Sequence, residues 1–222
     1  MKACLITGAG TGLGKELACL YAEKGYMIYL VGRSENKLAE VQSVIQDNGG
    51  KAKLFVCDLK KTSDIEALAS YIKAENIILD LVVNNAGIGI FGAFQEASAA
   101  DLETTFQTNV YGPILLTKSL LPVMNSGTFI NIISTAGLRG KANEAIYCAS
   151  KFALRGFTEA LQKEYENSEF RFIAAYMGGM NTPFWDDSNY VKNPSHLPSP
   201  KTIAEQIVEE AKTSDEIIIE RN

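Results

Sequence analysis

The sequence predicts an α/β fold, a doubly wound sheet of about seven mostly parallel strands with helices on both faces, and three observations predict it. Short β-prone runs alternate with longer stretches of helical periodicity through all 222 residues, the order that builds parallel strands joined by crossover helices. A glycine-rich turn from Gly8 to Gly14 directly follows the first strand and opens the first helix, as a dinucleotide crevice requires. The run from Ile77 to Val83 is apolar except for Asp80, as expected of a strand covered on both faces. At this length a single domain over 1–222 is expected.

The first strand spans 2–7, and Gly25 stops the helix that follows the turn. A second strand, Tyr26 to Val31, ends in Gly32-Arg33-Ser34; the next helix, Glu35 to Asp47, is broken by Asn48-Gly49-Gly50. The third strand, Ala52 to Cys57, ends at Asp58-Leu59, and Ser63-Asp64-Ile65-Glu66 reads as a capping box opening another helix. Strand four, Ile77 to Val83, delivers Asn84-Asn85-Ala86-Gly87 to its C-terminal edge. A helical region over 101–124 contains Asn109 in its middle, despite Pro113.

Strand five, Thr128 to Ile133, presents Ser134 at its end, and the helix from Ala145 to Tyr165 carries Tyr147 and Lys151 in its first turns. Strand six, Phe170 to Tyr176, leads into Met177-Gly178-Gly179-Met180-Asn181-Thr182. An irregular segment over 183–200 holds Phe184, Trp185, Tyr190 and the only histidine, His196, which lacks a triad partner and reads as a surface residue. Ser199-Pro200 caps a helix through Lys212, and Glu216 to Glu220 is strand seven.

Composition excludes several classes. The net charge is −5 with no dense Lys/Arg cluster, so the footprint of a nucleic-acid binder is missing. The four cysteines, Cys4, Cys19, Cys57 and Cys148, have no metal-ligand spacing and read as reduced core residues, and no metal site is expected. Met1-Lys2 leads straight into a strand without a leader, and no apolar run is long enough to cross a bilayer, so a cytoplasmic protein is expected.

The chemistry centres on Tyr147 and Lys151, four positions apart, which on a helix share one face. A free phenol, with a pKa of about 10, shuttles protons poorly at neutral pH; a nearby ammonium favours the phenolate and lowers that value. The pair would then serve as an acid/base catalyst. The turn Gly8-x-x-x-Gly12-x-Gly14 lets backbone approach a pyrophosphate, whose charge the free amides and positive helix end welcome; close packing of helix on sheet is its other use. Thr7 reads as a tie for the turn rather than a ligand.

Taken together, Thr7-Gly8-x-x-x-Gly12-x-Gly14, Asp58, Asn84-Asn85-Ala86-Gly87, Asn109, Ser134 and Tyr147-x-x-x-Lys151 resemble the short-chain dehydrogenase/reductase family, from the first strand to the last few residues. The resemblance implies a Rossmann-like fold and hydride transfer between NADP(H), less readily NAD(H), and a carbonyl/alcohol substrate. It implies catalytic roles for Asn109, Ser134, Tyr147 and Lys151. Ser134 would orient the substrate oxygen, Lys151 would also hold the nicotinamide ribose, and Asn109 would kink its helix and hold a relay water; a plain helix–helix hydrogen bond is the alternative for Asn109.

Cofactor contacts are implied for Gly8, Thr11, Gly12, Leu13, Gly14, Arg33, Ser34, Asp58, Leu59, Asn85, Ala86, Gly87, Tyr147, Lys151, Gly178, Met180 and Thr182. The slot at the end of strand two where relatives that use NAD(H) carry an acidic residue is Gly32 here, followed by Arg33; a guanidinium fork suits a 2′-phosphate, so Arg33, with Ser34 and Lys37 assisting, favours NADP(H). Stacking on adenine is the other use of Arg33, and the family's second basic slot is Thr11 here. The proline usual before Gly178 is replaced by Met177. Residues 183–200 correspond to a substrate lid, with Phe91 and Phe94 as substrate-side or core residues. A homodimer through the central helices, or a homotetramer, is implied. The alternative from another class is a catalytically weak NADP(H)-sensing interaction protein on the same scaffold.

Overall fold

The computed structural model describes residues 1–186 and 190–220. Its seven strands form one sheet in the order β3-β2-β1-β4-β5-β6-β7, and every pair is parallel. The strands are β1 (Ala3–Thr7), β2 (Met27–Gly32), β3 (Lys51–Val56), β4 (Leu81–Asn84), β5 (Gly127–Ile132), β6 (Phe170–Met177) and β7 (Glu216–Ile219). The order reverses between β1 and β4, which opens a crevice at their carboxyl ends.

Period-two alternation sorts the strand side chains into two apolar layers. Cys4 and Ile6 of β1 face one layer, completed by α1 (Gly12–Glu23), α2 (Glu35–Asp47) and α7 (Pro200–Glu210) through Leu17, Val41 and Ile207. Leu5 faces the other, completed by α3 (Thr62–Ala74), α5 (Gly112–Leu120) and α6 (Ala145–Glu164) through Leu68, Leu116 and Leu161. β1 and β4 are buried along their whole length, which is why their sequences are continuous apolar runs.

Four expectations are corrected. The box at Ser63–Glu66 does not form: α3 has its N-cap two residues earlier, at Lys61, without a side-chain cap, and the Asp64 carboxylate accepts from Asp58 N–H at 3.0 Å instead. A capping box forms where none was expected, between Ser98 and Asp101 at the start of α4 (Ala99–Phe106). β4 begins at Leu81 rather than Ile77, because Ile78 is 72% exposed and Asp80 turns its carboxylate to Ala3 N–H at 2.7 Å. The region 101–124 is not one helix: a π-helical turn over Gln107–Tyr111 separates α4 from α5 and places Pro113 in the first turn of α5, where no N–H partner is needed. α7 ends at Glu210, short of Lys212, whereas its expected cap forms, Ser199 Oγ accepting from Thr202 N–H at 3.1 Å.

Candidate active site

The crevice is a cleft of about 770 Å³ that runs from the ends of β2 and β3 to the first turns of α6. Its floor is the turn after β1. Gly8 and Gly12 hold φ of 64° and 52°, backbone that favours glycine. A Cβ on Gly12 would lie 3.1 Å from Thr182 Cγ2, so that glycine keeps the passage to the 178–182 loop open.

Gly14 does not line the cleft. A Cβ there would sit 2.3 Å from Gly8 O and 2.5 Å from Asn85 Nδ2, so this glycine lets helix and turn pack. Thr7 is the tie expected of it, its hydroxyl accepting from the N–H groups of Asn85 and Ala86, each at 3.0 Å. Asn85 returns the contact, donating to Thr7 O at 2.9 Å. Asn84 braces the sheet, donating to Asn131 Oδ1 at 2.8 Å, and Asn131 donates in turn to Thr158 Oγ1 at 2.9 Å.

At the end beside β2 and β3, Arg33, Lys37, Asp58 and Leu59 line the cleft with Gly32. No carboxylate among the described residues forms an ion pair with Arg33. Ser34 is not part of the lining; it stands at the N-cap of α2. Thr11, Leu13, Ala86, Gly87, Gly178, Met180 and Thr182 all line the cleft. The backbone at Met177 stays in β6, paired with Ile219, before Gly178 turns away.

At the other end, α6 brings Tyr147 and Lys151 to one face. Lys151 Nζ lies over the Tyr147 ring, 5.7 Å from its centroid, and donates to Ile132 O at 3.0 Å. Ser134 follows β5 at φ 138°, a strained setting for a side-chain-bearing residue, with its Oγ accepting from Ala136 N–H at 3.1 Å. Its hydroxyl lies near enough to Tyr147 to favour the phenolate.

The expected lowering of the tyrosine pKa by lysine is not what the structure gives. Burial pushes the Tyr147 phenol well up, the Ser134 hydroxyl opposes this in part, and Glu144 adds to the rise. Burial also lowers Lys151, to about 8. Lys151 reaches the face of the ring and a backbone carbonyl, so its charge is not spent on the phenolic oxygen.

Asn109 is fully buried in the π-helical turn and does not line the cleft. Its Oδ1 accepts from Ile88 N–H at 2.9 Å, and its Nδ2 donates to Ile88 O at 2.9 Å and to Ser150 Oγ at 3.0 Å. The amide thus clamps the loop after β4 to α6. A Cβ on Gly87 would lie 3.4 Å from Asn109 Oδ1 and 3.6 Å from Lys151 Nζ, so this glycine leaves room for both.

An aromatic wall closes the end beside α6. Phe91 stacks on Tyr190 at 4.7 Å and packs edge-on against Tyr147 at 5.5 Å, while Phe184 approaches Tyr147 at 6.0 Å. Trp185 donates to Met180 O at 2.8 Å. Phe94, by contrast, is 72% exposed and belongs neither to this wall nor to the core. Of the expected lid, Pro183, Phe184, Trp185, Tyr190 and Val191 line the cleft, 187–189 lie outside the described residues, and His196 is exposed in a short turn.

Arg139, Lys141, Glu144 and Glu220 also reach the cleft and were not singled out from sequence. For Glu144 a signal existed: it precedes Tyr147 by three positions, helical spacing for one face.

The short chain dehydrogenase family model matches residues 2–192. The chain belongs to the short-chain dehydrogenase/reductase family. It is 32% identical to the ketoacyl reductase HetN of Nostoc sp. over all of its own length and 79% of that protein's. A short-chain dehydrogenase from Shigella flexneri 2a, solved in complex with NADP, superposes with a TM-score of 0.88 at 29% identity, covering 98% of this chain and 96% of that one. A family member from Burkholderia phymatum in complex with NAD superposes at 0.90 and 24% identity, covering 98% and 88%, which speaks to the fold alone. In this short-chain dehydrogenase/reductase, no described helix is long and apolar enough to cross a membrane.

Proposed function

We propose that this protein is an NADP(H)-preferring oxidoreductase that interconverts a carbonyl and an alcohol. The observation that carries the reading is the meeting of the Ser134 hydroxyl, the Tyr147 phenol and the Lys151 ammonium at one end of a cleft whose other end presents Arg33. The cradle fits a dinucleotide: positive-φ glycines at 8 and 12 keep side chains out of its floor, and α1 aims its N-terminus at it. Arg33 and Lys37 would grip a 2′-phosphate, Asp58 the adenine, and Lys151 the nicotinamide ribose. Bound there, the nicotinamide supplies or accepts the hydride.

The rest is done by the chain. Tyr147, kept protonated by burial, is poised to give its proton to the substrate oxygen, which suits carbonyl reduction. Ser134 orients the same oxygen, and a developing alkoxide is stabilised because both donors are already aimed at it. Asn109 holds the loop and helix that carry Gly87 and Lys151, and we assign it the support of the proton path. The choice of NADP(H) rests on Arg33 and the lack of an acidic residue at the end of β2, since solved relatives hold either cofactor. Leu102 on α4 and Phe152 on α6 are exposed, consistent with a homodimer formed through these helices.

The test is NADPH consumption across a panel of aldehydes, ketones and quinones. Oxidation of NADPH with at least one carbonyl class supports the reading. Tight NADPH binding without turnover on any panel member contradicts it and favours a sensing role.

A further inference from the structure

Glu144 stands at the N-cap of α6, three residues before Tyr147, and lines the cleft while only 7% exposed. A carboxylate this deep is costly unless paired, and buried charges as a rule have a counter-ion. Among the described residues four ion pairs form, all on substantially exposed side chains, and none involves Glu144. The neighbouring cations are committed elsewhere. Lys141 Nζ donates to Thr135 Oγ1 at 3.0 Å, Arg139 pairs with Glu220 at 3.4 Å, and Lys151 donates to Ile132 O at 3.0 Å.

What does reach the carboxylate is neutral: the Tyr190 hydroxyl, 3.0 Å from Glu144 Oε1. Tyr190 belongs to an aromatic cluster in which Phe184, Trp185 and Tyr190 have their ring centroids 4.7 to 6.1 Å from that of Phe91, and Phe184, Trp185 and Tyr190 line the same cleft as Glu144. The faces of such rings are electron-rich and attract cations. A buried carboxylate beside a cluster of aromatic rings is a receptor for positive charge.

We propose that Glu144 is a specificity-determining residue that selects carbonyl substrates carrying a protonated amine about one helical turn, roughly 5–6 Å, from the reacting carbonyl. The proposal rests on the carbonyl-reductase reading of the same cleft and names the substrate class. The ammonium supplies the missing counter-charge to Glu144 while the rings cover its apolar skirt. It also offsets the field by which Glu144 holds up the Tyr147 phenol, so a cationic substrate eases the proton transfer that a neutral one leaves opposed.

The test compares 3-(aminomethyl)acetophenone with 3-ethylacetophenone, which differ by an ammonium against a methyl group, on the NADPH-saturated enzyme. Two readouts are taken: the ratio of kcat/KM values, and the ratio of Kd values from the fluorescence of Trp185, the chain's only tryptophan. Both ratios should favour the amine by about tenfold or more and fall to about one in Glu144→Gln. A check that needs no variant is the N-acetylated amine, which keeps polarity and loses charge; its preference should vanish.

Reduction of both ketones with no preference overturns cation selection alone. So does a preference that survives Glu144→Gln or N-acetylation. A tenfold binding preference without reduction of either ketone supports the cation site, and it overturns the reductase reading when the aldehyde, ketone and quinone panel also shows no turnover.

Discussion

Replacing Lys151 by methionine should remove a cost that the fold carries for its chemistry. Lys151 is 4% exposed, and burial lowers its pKa from the ordinary lysine value of 10.5 to about 8. That difference corresponds to about 3 kcal/mol of destabilisation while the charge is held at neutral pH. Against it stands the hydrogen bond to Ile132 O, whose loss leaves a carbonyl unpartnered at about 1–3 kcal/mol. The cofactor-free variant should therefore match or exceed the wild type in stability at pH 7.

The sign of the pH dependence follows from linkage. Between pH 8 and about 10.5 the unfolded chain still binds the lysine proton and the folded chain does not, so the wild type gains stability as pH rises through that window. Buried thiols such as Cys57, pushed up to about 12, act in the opposite direction, so the quantity to follow is the difference between the two proteins. Urea unfolding of both across this range should show wild type minus Lys151→Met rising by about 3 kcal/mol. A difference that stays flat or falls would refute the claim that Lys151 is held desolvated.

Three further outcomes are expected. Arg33→Ala should weaken NADPH by about 10²-fold and NADH by much less, read as two dissociation constants, because only the former presents a 2′-phosphate to the guanidinium; equal loss would contradict phosphate recognition. Gly14→Ala should lower stability by about 2 kcal/mol or more in thermal denaturation, since its Cβ meets the Gly8 carbonyl, which cannot swing aside as a side chain would. Asn131→Ala should cost about 1–3 kcal/mol in the same assay by removing the partner that Asn84 Nδ2 and Thr158 Oγ1 share, leaving them only Thr117 Oγ1 and Leu154 O, and a loss below about 0.5 kcal/mol would contradict the bracing role.

The strand–turn–helix unit around Gly8 and the Tyr147/Lys151 pair were readable from sequence because both are local: one follows from glycine spacing after an apolar run, the other from helical periodicity. What depends on distant contacts was not. Ser63 to Glu66 carries the residue types of a cap, but Asp64 answers to Asp58 instead. The apolar run at Ile77 could not reveal that Ile78 faces outward and that Asp80 is drawn to Ala3. Gly14 looks the same in sequence whether it admits a ligand or a neighbouring carbonyl, and the structure shows the carbonyl. The sense of the tyrosine shift was missed because spacing gives proximity, whereas the aromatic wall that desolvates Tyr147 is assembled from segments far apart in the chain. Glu144 bears no motif, and its isolation from cations is a property of the folded cleft.

The central claim, that the Tyr147 hydroxyl gives up the proton that completes carbonyl reduction, is tested most directly by Tyr147→Phe in a single-turnover assay with NADPH and a ketone the wild type reduces. The ring and its packing against Phe91 and Phe184 remain, so NADPH should bind within about threefold of wild type while the rate falls by about 10³-fold or more. A rate close to that of the wild type, with cofactor bound, would contradict the account.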